Sequence, residues 1–246
     1  MEIKGRIACI TGTKRIGGTV GFELAEKGAK VALIYNRSKQ EAETVAKEIR
    51  AIGKDAITIQ ADLAQAIQVK LMVSQVIKIW GGIDFLINLA SIYTSSPLLE
   101  ITEDDWDNNM NINLRSAFFC AQAVAPAMRL RGGGRIINCT DWTAASNRPR
   151  YRGYIPYYVS KIGIIGLTES LALEMAPDNI LVNAIAPGPI VPPPDLSQEK
   201  IKKVQENTPL GRWGGAEEIA KVVLNLVESD FITGECIRVD GGRHIF

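Results

Sequence analysis

Short β-branched runs alternate with longer segments of helical period along the whole chain, and few folds satisfy that alternation. The candidate strands are 6–10, 30–35, 55–60, 83–88, 134–139, 179–185 and 235–239. Between them, 17–27, 39–52, 64–80, 103–130, 157–176 and 216–228 carry apolar residues at three- and four-residue intervals, which predicts helices. Runs such as Val31-Ala32-Leu33-Ile34 and Phe85-Leu86-Ile87 are apolar at consecutive positions. A strand covered on one face alternates, so these belong to a parallel sheet covered on both faces. The expectation is a doubly wound, seven-stranded parallel α/β sheet in a single domain spanning 1–246. One connection departs from the pattern. In 187–214, Pro187, Pro189, Pro192, Pro193 and Pro194 forbid regular structure before a short polar helical stretch. A long connection at a strand's carboxyl end is the expected place for a substrate loop.

Composition narrows the function classes. The chain has 246 residues, a length one hydrophobic core still supports. It is 46% hydrophobic and 22% charged, far from the composition of a disordered chain. Lys and Arg number 28 against 27 Asp and Glu, so no basic surface is available for nucleic acid or an anionic membrane. No run reaches the ~18 apolar residues of a bilayer span, and the first residues lack a signal-peptide pattern, so a cytoplasmic protein is expected. The four cysteines, Cys9, Cys120, Cys139 and Cys236, form no Cys-x-x-Cys pair, and His244 is the one histidine. Neither a metal centre nor a disulfide framework is expected.

The first strand runs into Thr11-Gly12-Thr13-Lys14-Arg15-Ile16-Gly17-Gly18 and then a helix. Glycines there let the backbone approach a pyrophosphate, and a helix amino terminus offers unpaired N–H groups. A tight strand-to-helix connection with no ligand is the competing reading. The second strand ends at Tyr35-Asn36-Arg37-Ser38, where an NAD site would carry a carboxylate for the ribose 2′-hydroxyl. Asn36, Arg37 and Ser38, with Lys14 and Arg15, instead offer donors suited to a 2′-phosphate. The expected cofactor is therefore NADP(H).

Several further motifs fall in one order: Asp62-Leu63, Asn88-Leu89-Ala90-Ser91, Asn111-Ile112-Asn113-Leu114, Tyr157-Tyr158-Val159-Ser160-Lys161, Pro187-Gly188 and Val239-Asp240-Gly241-Gly242. Together they make the chain resemble the short-chain dehydrogenase/reductase family over nearly its whole length. The later part looks like the 3-oxoacyl carrier-protein reductases, whereas the Lys14-Arg15-Ile16-Gly17 run looks like the pteridine reductases. The resemblance implies a Rossmann-like fold, a homotetramer and a cofactor held by Gly12, Lys14, Arg15, Ile16 and Gly17. It also implies Asp62 and Leu63 beside the adenine, Asn88 and Ala90 along the cofactor channel, and Pro187, Gly188 and Ile190 at the nicotinamide end. Counting back along the following helix makes the glycine loop one residue short of the family pattern, with Arg15 where the middle glycine would be.

Tyr157 and Lys161 are four apart on one helix face. An ammonium beside a phenol stabilises the phenolate, so Lys161 is expected to lower the proton affinity of Tyr157 and make it a proton shuttle. The resemblance makes Asn113 the fourth catalytic position, holding a water behind Lys161. A helix asparagine capping a kink is the alternative.

The family's catalytic serine falls at Asp141. A serine donates a hydrogen bond, whereas an ionised carboxylate only accepts. Either Asp141 stays protonated and donates, or it stays charged and prefers substrates that present N–H or O–H groups. Alternatively Thr140 or Thr143 supplies the hydroxyl and Asp141 caps a loop. The segment before Tyr157 carries Arg148, Arg150, Tyr151, Arg152 and Tyr154, which with Tyr93, Trp142 and Trp213 would wall a pocket or form a subunit contact. The expected activity is NADPH-dependent hydride transfer to a small-molecule carbonyl or imine, with a sugar or polyol dehydrogenase as the rival.

Overall fold

The computed structural model describes residues 1–194 and 196–246; Asp195, within the expected 187–214 substrate loop, lies outside the described residues. Seven parallel strands form one sheet in the order β3-β2-β1-β4-β5-β6-β7. They are β1 (Ile7–Thr11), β2 (Lys30–Tyr35), β3 (Ala56–Gln60), β4 (Phe85–Asn88), β5 (Gly134–Cys139), β6 (Ile180–Pro187) and β7 (Cys236–Val239). Among the described residues, nine α-helices accompany them: α1 (Gly18–Glu26), α2 (Lys39–Ala51), α3 (Ala66–Trp80), α4 (Glu103–Asn109), α5 (Ser116–Leu130), α6 (Trp142–Ala145), α7 (Ile155–Met175), α8 (Gln198–Glu206) and α9 (Ala216–Glu228).

The strand alternation sorts the core into two layers. Ala8 and Ile10 of β1 pack with Leu24, Ile49 and Val223, from α1, α2 and α9. Ile7 and Cys9 of the same strand pack on the other face with Val73, Val124 and Leu171, from α3, α5 and α7. Side chains that alternate across a pleat make both layers from one strand, which is why the central strands read as continuous apolar runs. The strand order reverses between β1 and β4, and a doubly wound sheet opens a crevice at the carboxyl ends there.

Three elements differ from the sequence pattern. The segment 103–130 is two helices, α4 and α5, joined by π-helical backbone over Met110–Arg115. The apolar period runs through this bulge unbroken, so periodicity could not reveal it. Before α1, Thr13–Gly17 is irregular, with Arg15 at φ 67° and ψ −93°. Helix α7 starts at Ile155 rather than at Tyr157, with Pro156 in the first turn, where its missing N–H costs no bond.

Candidate active site

The turn after β1 is tightly cradled. A side chain on Gly12 would meet the Ala90 backbone nitrogen at 2.6 Å, and one on Gly17 would meet the Gly12 carbonyl oxygen at 2.2 Å. Gly12 also has φ 76°, open mainly to glycine. Thr11 Oγ1 accepts from the backbone N–H groups of Leu89 and Ala90 at 3.2 and 3.3 Å, tying β1 to the segment after β4. Arg15 adopts φ 67°, a conformation that favours glycine, so a side chain there is strained. Its guanidinium donates to the Val191 carbonyl and so bridges this turn to the connection after β6.

One atom in this turn lacks a partner. Among the described residues, Thr13 Oγ1 is the single buried side-chain polar atom without a hydrogen bond. A buried hydroxyl without a partner costs free energy, so its position in a glycine cradle fits an anionic ligand that supplies the missing acceptor. Thr13 was not among the residues singled out from sequence, although a hydroxyl directly after the first glycine was the available signal. Ile16 completes the turn and packs against the core.

At the edge of the crevice, Asn36 and Arg37 are exposed and Ser38 is half-buried. Asn36 accepts from Gln60 Nε2 at 3.0 Å through its carbonyl. Lys14 lies 3.5 Å from Glu41, and Arg37 is an exposed cation just beyond the end of β2. Asp62 orders its own turn, with Oδ1 accepting from the Ala64 N–H at 3.1 Å, and Leu63 packs on the core. The side chain of Asn88 is turned inward, donating to Asn138 Oδ1 at 3.0 Å, and Asn138 in turn donates to Thr168. That chain of side-chain bonds links β4 to β5 and α7.

Beyond β6, Pro187 ends the strand and Gly188 donates to the Val239 carbonyl at 2.9 Å. A side chain on Gly188 would meet Asp240 Cβ at 2.5 Å, so β6 and the end of β7 approach backbone to side chain. Ile190 is buried in the core cluster, and its carbonyl accepts from the Gly215 N–H at 2.9 Å.

Tyr157, Lys161 and Asp141 come together at the carboxyl end of β5. Tyr157 donates its phenolic hydrogen to Asp141 Oδ2 at 3.1 Å. Asp141 is the amino-terminal cap of α6, and its Oδ1 accepts from the backbone N–H and hydroxyl of Thr143 at 2.8 and 2.5 Å. The carboxylate therefore serves both readings at once, capping α6 with one oxygen and facing the phenol with the other. The Thr143 hydroxyl donates to Asp141 and the Thr140 hydroxyl to the Lys161 carbonyl at 2.6 Å, so both hydroxyl hydrogens are engaged within the protein.

Lys161 is 2% exposed and donates to the Cys139 carbonyl at 2.8 Å, with Nζ 5.7 Å from the centre of the Tyr157 ring. This corrects the electrostatic expectation. Burial, then the Asp141 carboxylate, push the Tyr157 phenol well above its ordinary range, and burial lowers the Lys161 ammonium. Burial is the largest cause of both shifts.

Asn113 lies in the π-helical segment. Its Oδ1 accepts from the Ile92 N–H at 2.8 Å and from Ser91 Oγ at 3.1 Å, while Nδ2 donates to Ser160 Oγ at 3.0 Å and to the Ile92 carbonyl at 3.2 Å. These bonds tie the segment after β4 to α7, next to Lys161 in sequence, and none of them goes to the backbone of the helix that carries Asn113.

Four tyrosines line the approach. The rings of Tyr93 and Tyr154 stack at 4.4 Å, Tyr93 meets Tyr157 edge-on at 4.7 Å, and Tyr151 meets Tyr154 at 6.3 Å. Trp142 extends the row through Tyr151 at 6.5 Å, with the guanidinium of Arg150 5.7 Å from its ring centre. Arg148, Arg150 and Arg152 are exposed, Arg152 lying just ahead of Gly153 and Tyr154. Trp213 stands apart and donates to the Ile201 carbonyl at 3.4 Å.

A family model described as "Enoyl-(Acyl carrier protein) reductase" matches residues 12–244. The chain is 39% identical over 243 residues to the 3-oxoacyl-[acyl-carrier-protein] reductase FabG of Staphylococcus aureus, covering 97% of this chain and 98% of that one. A short-chain dehydrogenase/reductase from Serratia marcescens superposes with a TM-score of 0.92 at 34% identity, over 99% of this chain and all of that one. A short-chain dehydrogenase from Burkholderia cenocepacia, solved in complex with NADP, gives 0.91 at 33% identity over 99% of each.

Proposed function

Because this chain belongs to the short-chain dehydrogenase/reductase family, we propose that it is an NADPH-dependent reductase of 3-oxoacyl or related ketone substrates, with Tyr157 as the proton donor. The observation that carries the reading is the buried phenol of Tyr157, 9% exposed, held at the mouth of the crevice by Asp141 and backed by Lys161. The cofactor held by the turn after β1 would be NADPH, and the chemistry it would supply is a hydride for the substrate carbon.

The chain's own residues supply the rest. The Tyr157 phenol carries the proton that a nascent alkoxide takes; burial makes it a weaker acid, a cost that the ammonium behind it has to offset. On transfer, the O–H bond of Tyr157 breaks and a new O–H bond forms on the substrate, leaving a phenolate beside the Lys161 ammonium. Lys161 then opposes the repulsion from Asp141 and lowers the cost of that phenolate. Asn113 holds the segment after β4 against α7, fixing the floor beneath both side chains.

Gly12, Lys14, Arg15, Ile16 and Gly17 form the seat for the pyrophosphate, and the unpaired Thr13 hydroxyl fits an anion there. Asn36, Arg37 and Ser38 favour a 2′-phosphate over a bare ribose, since they offer donors and no carboxylate. Asp62, Leu63, Asn88, Ala90, Pro187, Gly188 and Ile190 complete the channel in this reading. The NADP bound to the Burkholderia cenocepacia relative supports the same choice.

One observation favours a second reading. Asp141 is an acceptor beside the phenol, and stacked Tyr93 and Tyr154 suit a flat ring, so an imine in an N–H-bearing bicycle is the alternative substrate, as in the pteridine reductases. Loss of absorbance at 340 nm with NADPH and an acetoacetyl thioester, compared with a dihydropterin, tests both. Turnover of the thioester alone supports the first reading, turnover of the dihydropterin alone the second, and turnover of neither refutes both.

A further inference from the structure

The Val239-Asp240-Gly241-Gly242 motif ends β7 in a turn held by one carboxylate. Asp240 Oδ1 accepts from the Gly242 N–H at 3.0 Å, and Oδ2 accepts from the His244 N–H at 2.9 Å and lies 2.8 Å from His244 Nδ1. Gly241 and Gly242 both adopt left-handed φ, and the Arg243 N–H returns to the Asp240 carbonyl at 3.2 Å. The turn is therefore rigid, and it aims Arg243 back over the molecule.

Arg243 reaches two otherwise separate parts of the substrate side. Its Nη1 donates to the Val204 and Asn207 carbonyls at 3.0 Å each and to Thr208 Oγ1 at 3.2 Å, at the carboxyl end of α8. Its Nη2 lies 3.5 Å from the Tyr151 hydroxyl, and its guanidinium carbon is 5.4 Å from the centre of the Trp142 ring. Trp142 directly follows Asp141, and Tyr151 leads through Tyr154 to Tyr157. Helix α8 has no buried residue, so its own packing holds it weakly. A guanidinium suits this bridge, because a planar fork satisfies terminal helix carbonyls while its face lies on an indole.

We propose that Arg243 is a positioning residue that pins the carboxyl end of α8 to the Trp142–Tyr151 shelf and so sets the shape of the substrate site. The link to substrate rests on the reductase reading above, whereas the pinning of α8 does not. Lys200, Lys202 and Lys203 on α8 are exposed, which makes trypsin a direct probe. Arg243→Met keeps an unbranched apolar side chain and removes every donor; Arg243→Lys keeps a cation that reaches the carbonyls.

Arg243→Met is expected to speed cleavage after Lys200, Lys202 and Lys203, mapped by mass spectrometry, by about fivefold or more, with Tm unchanged. The KM for the acetoacetyl thioester should rise roughly three- to tenfold with kcat little altered, and Arg243→Lys should recover much of the protease protection. Cleavage unchanged in Arg243→Met, or accelerated only in step with a fall in Tm, overturns the proposal. Faster cleavage at constant Tm with KM unchanged overturns its substrate clause. If the wild-type protein turns over no thioester while the protease result holds, the reductase reading fails and the pinning stands.

Discussion

The Tyr157 phenol and the Asp141 carboxylate share a 3.1 Å hydrogen bond at the carboxyl end of β5, and the other oxygen of the same carboxylate is fixed by Thr143. Burial raises the proton affinity of the phenol, and Asp141 raises it further. Replacing Asp141 with asparagine removes a negative charge that opposes the phenolate, so the phenol then loses its proton at lower pH. In the direction of reduction the phenol must hold its proton. The alkaline limb of kcat/KM should therefore move to lower pH in Asp141→Asn, and a limb that does not move would show that Asp141 lies outside the proton-transfer site.

Tyr157→Phe keeps the ring that meets Tyr93 and removes only the hydroxyl. A positioned proton donor is worth about 10²- to 10⁴-fold, so kcat should fall by that factor while NADPH affinity, read by fluorescence titration, stays within about twofold. A variant as fast as the parent would refute the assignment of the donor.

Thr13→Val separates the cofactor cradle from the fold. The hydroxyl has no partner in the protein alone, so removing it should leave the apo Tm unchanged or raise stability by up to about 1 kcal/mol. The same change should weaken NADPH binding several-fold. Lower apo stability together with unchanged NADPH affinity would refute the ligand role of the hydroxyl.

Arg37→Ala should cost roughly tenfold in NADPH affinity, the scale of one charge-assisted hydrogen bond, and should leave NADH affinity nearly unaltered. Equal losses for both dinucleotides, measured by calorimetry, would mean that Arg37 does not read a 2′-phosphate.

Alkaline stability follows from buried thiols. Burial pushes Cys9 up to about 12 from an ordinary value of 9.0, and Cys236 up to about 11. The unfolded chain releases these protons first, so stability is fully present below pH 9 and falls as pH rises toward 12. Lys161 is lowered from 10.5 and acts in the opposite sense up to that pH. Cys9→Val should flatten the decline in urea midpoint between about pH 9 and 11. An equally steep decline in that variant would assign the loss to other groups.

Much of the site was legible because its chemistry is local in sequence. Tyr157 and Lys161 are one helical turn apart, and the glycines of the first turn stand together, so spacing alone put each group on a shared surface. The seven strands were equally plain, since consecutive apolar residues require cover on both faces. Boundaries at irregular backbone were not. Met110–Arg115 keeps its apolar period while changing its hydrogen-bond pattern, and the glycine-like conformation of Arg15 follows from contacts that its own identity does not disclose.

Sequence by itself determined the parallel α/β class, the glycine-rich turn after the first strand and the one-turn spacing of Tyr157 and Lys161, because periodicity and short spacings are properties of neighbouring residues; their cofactor and catalytic roles were what the family resemblance implied. Tertiary structure alone decided the direction in which the Tyr157 phenol is shifted, the double duty of Asp141, the missing partner of Thr13 and the reach of Arg243 from the end of β7 to α8. Each of these is a balance of burial and charge among groups on different elements, 16 residues apart for Tyr157 and Asp141 and 92 for Arg243 and Tyr151, or an accounting of every acceptor around one donor. Such balances exist only once the chain has closed around them.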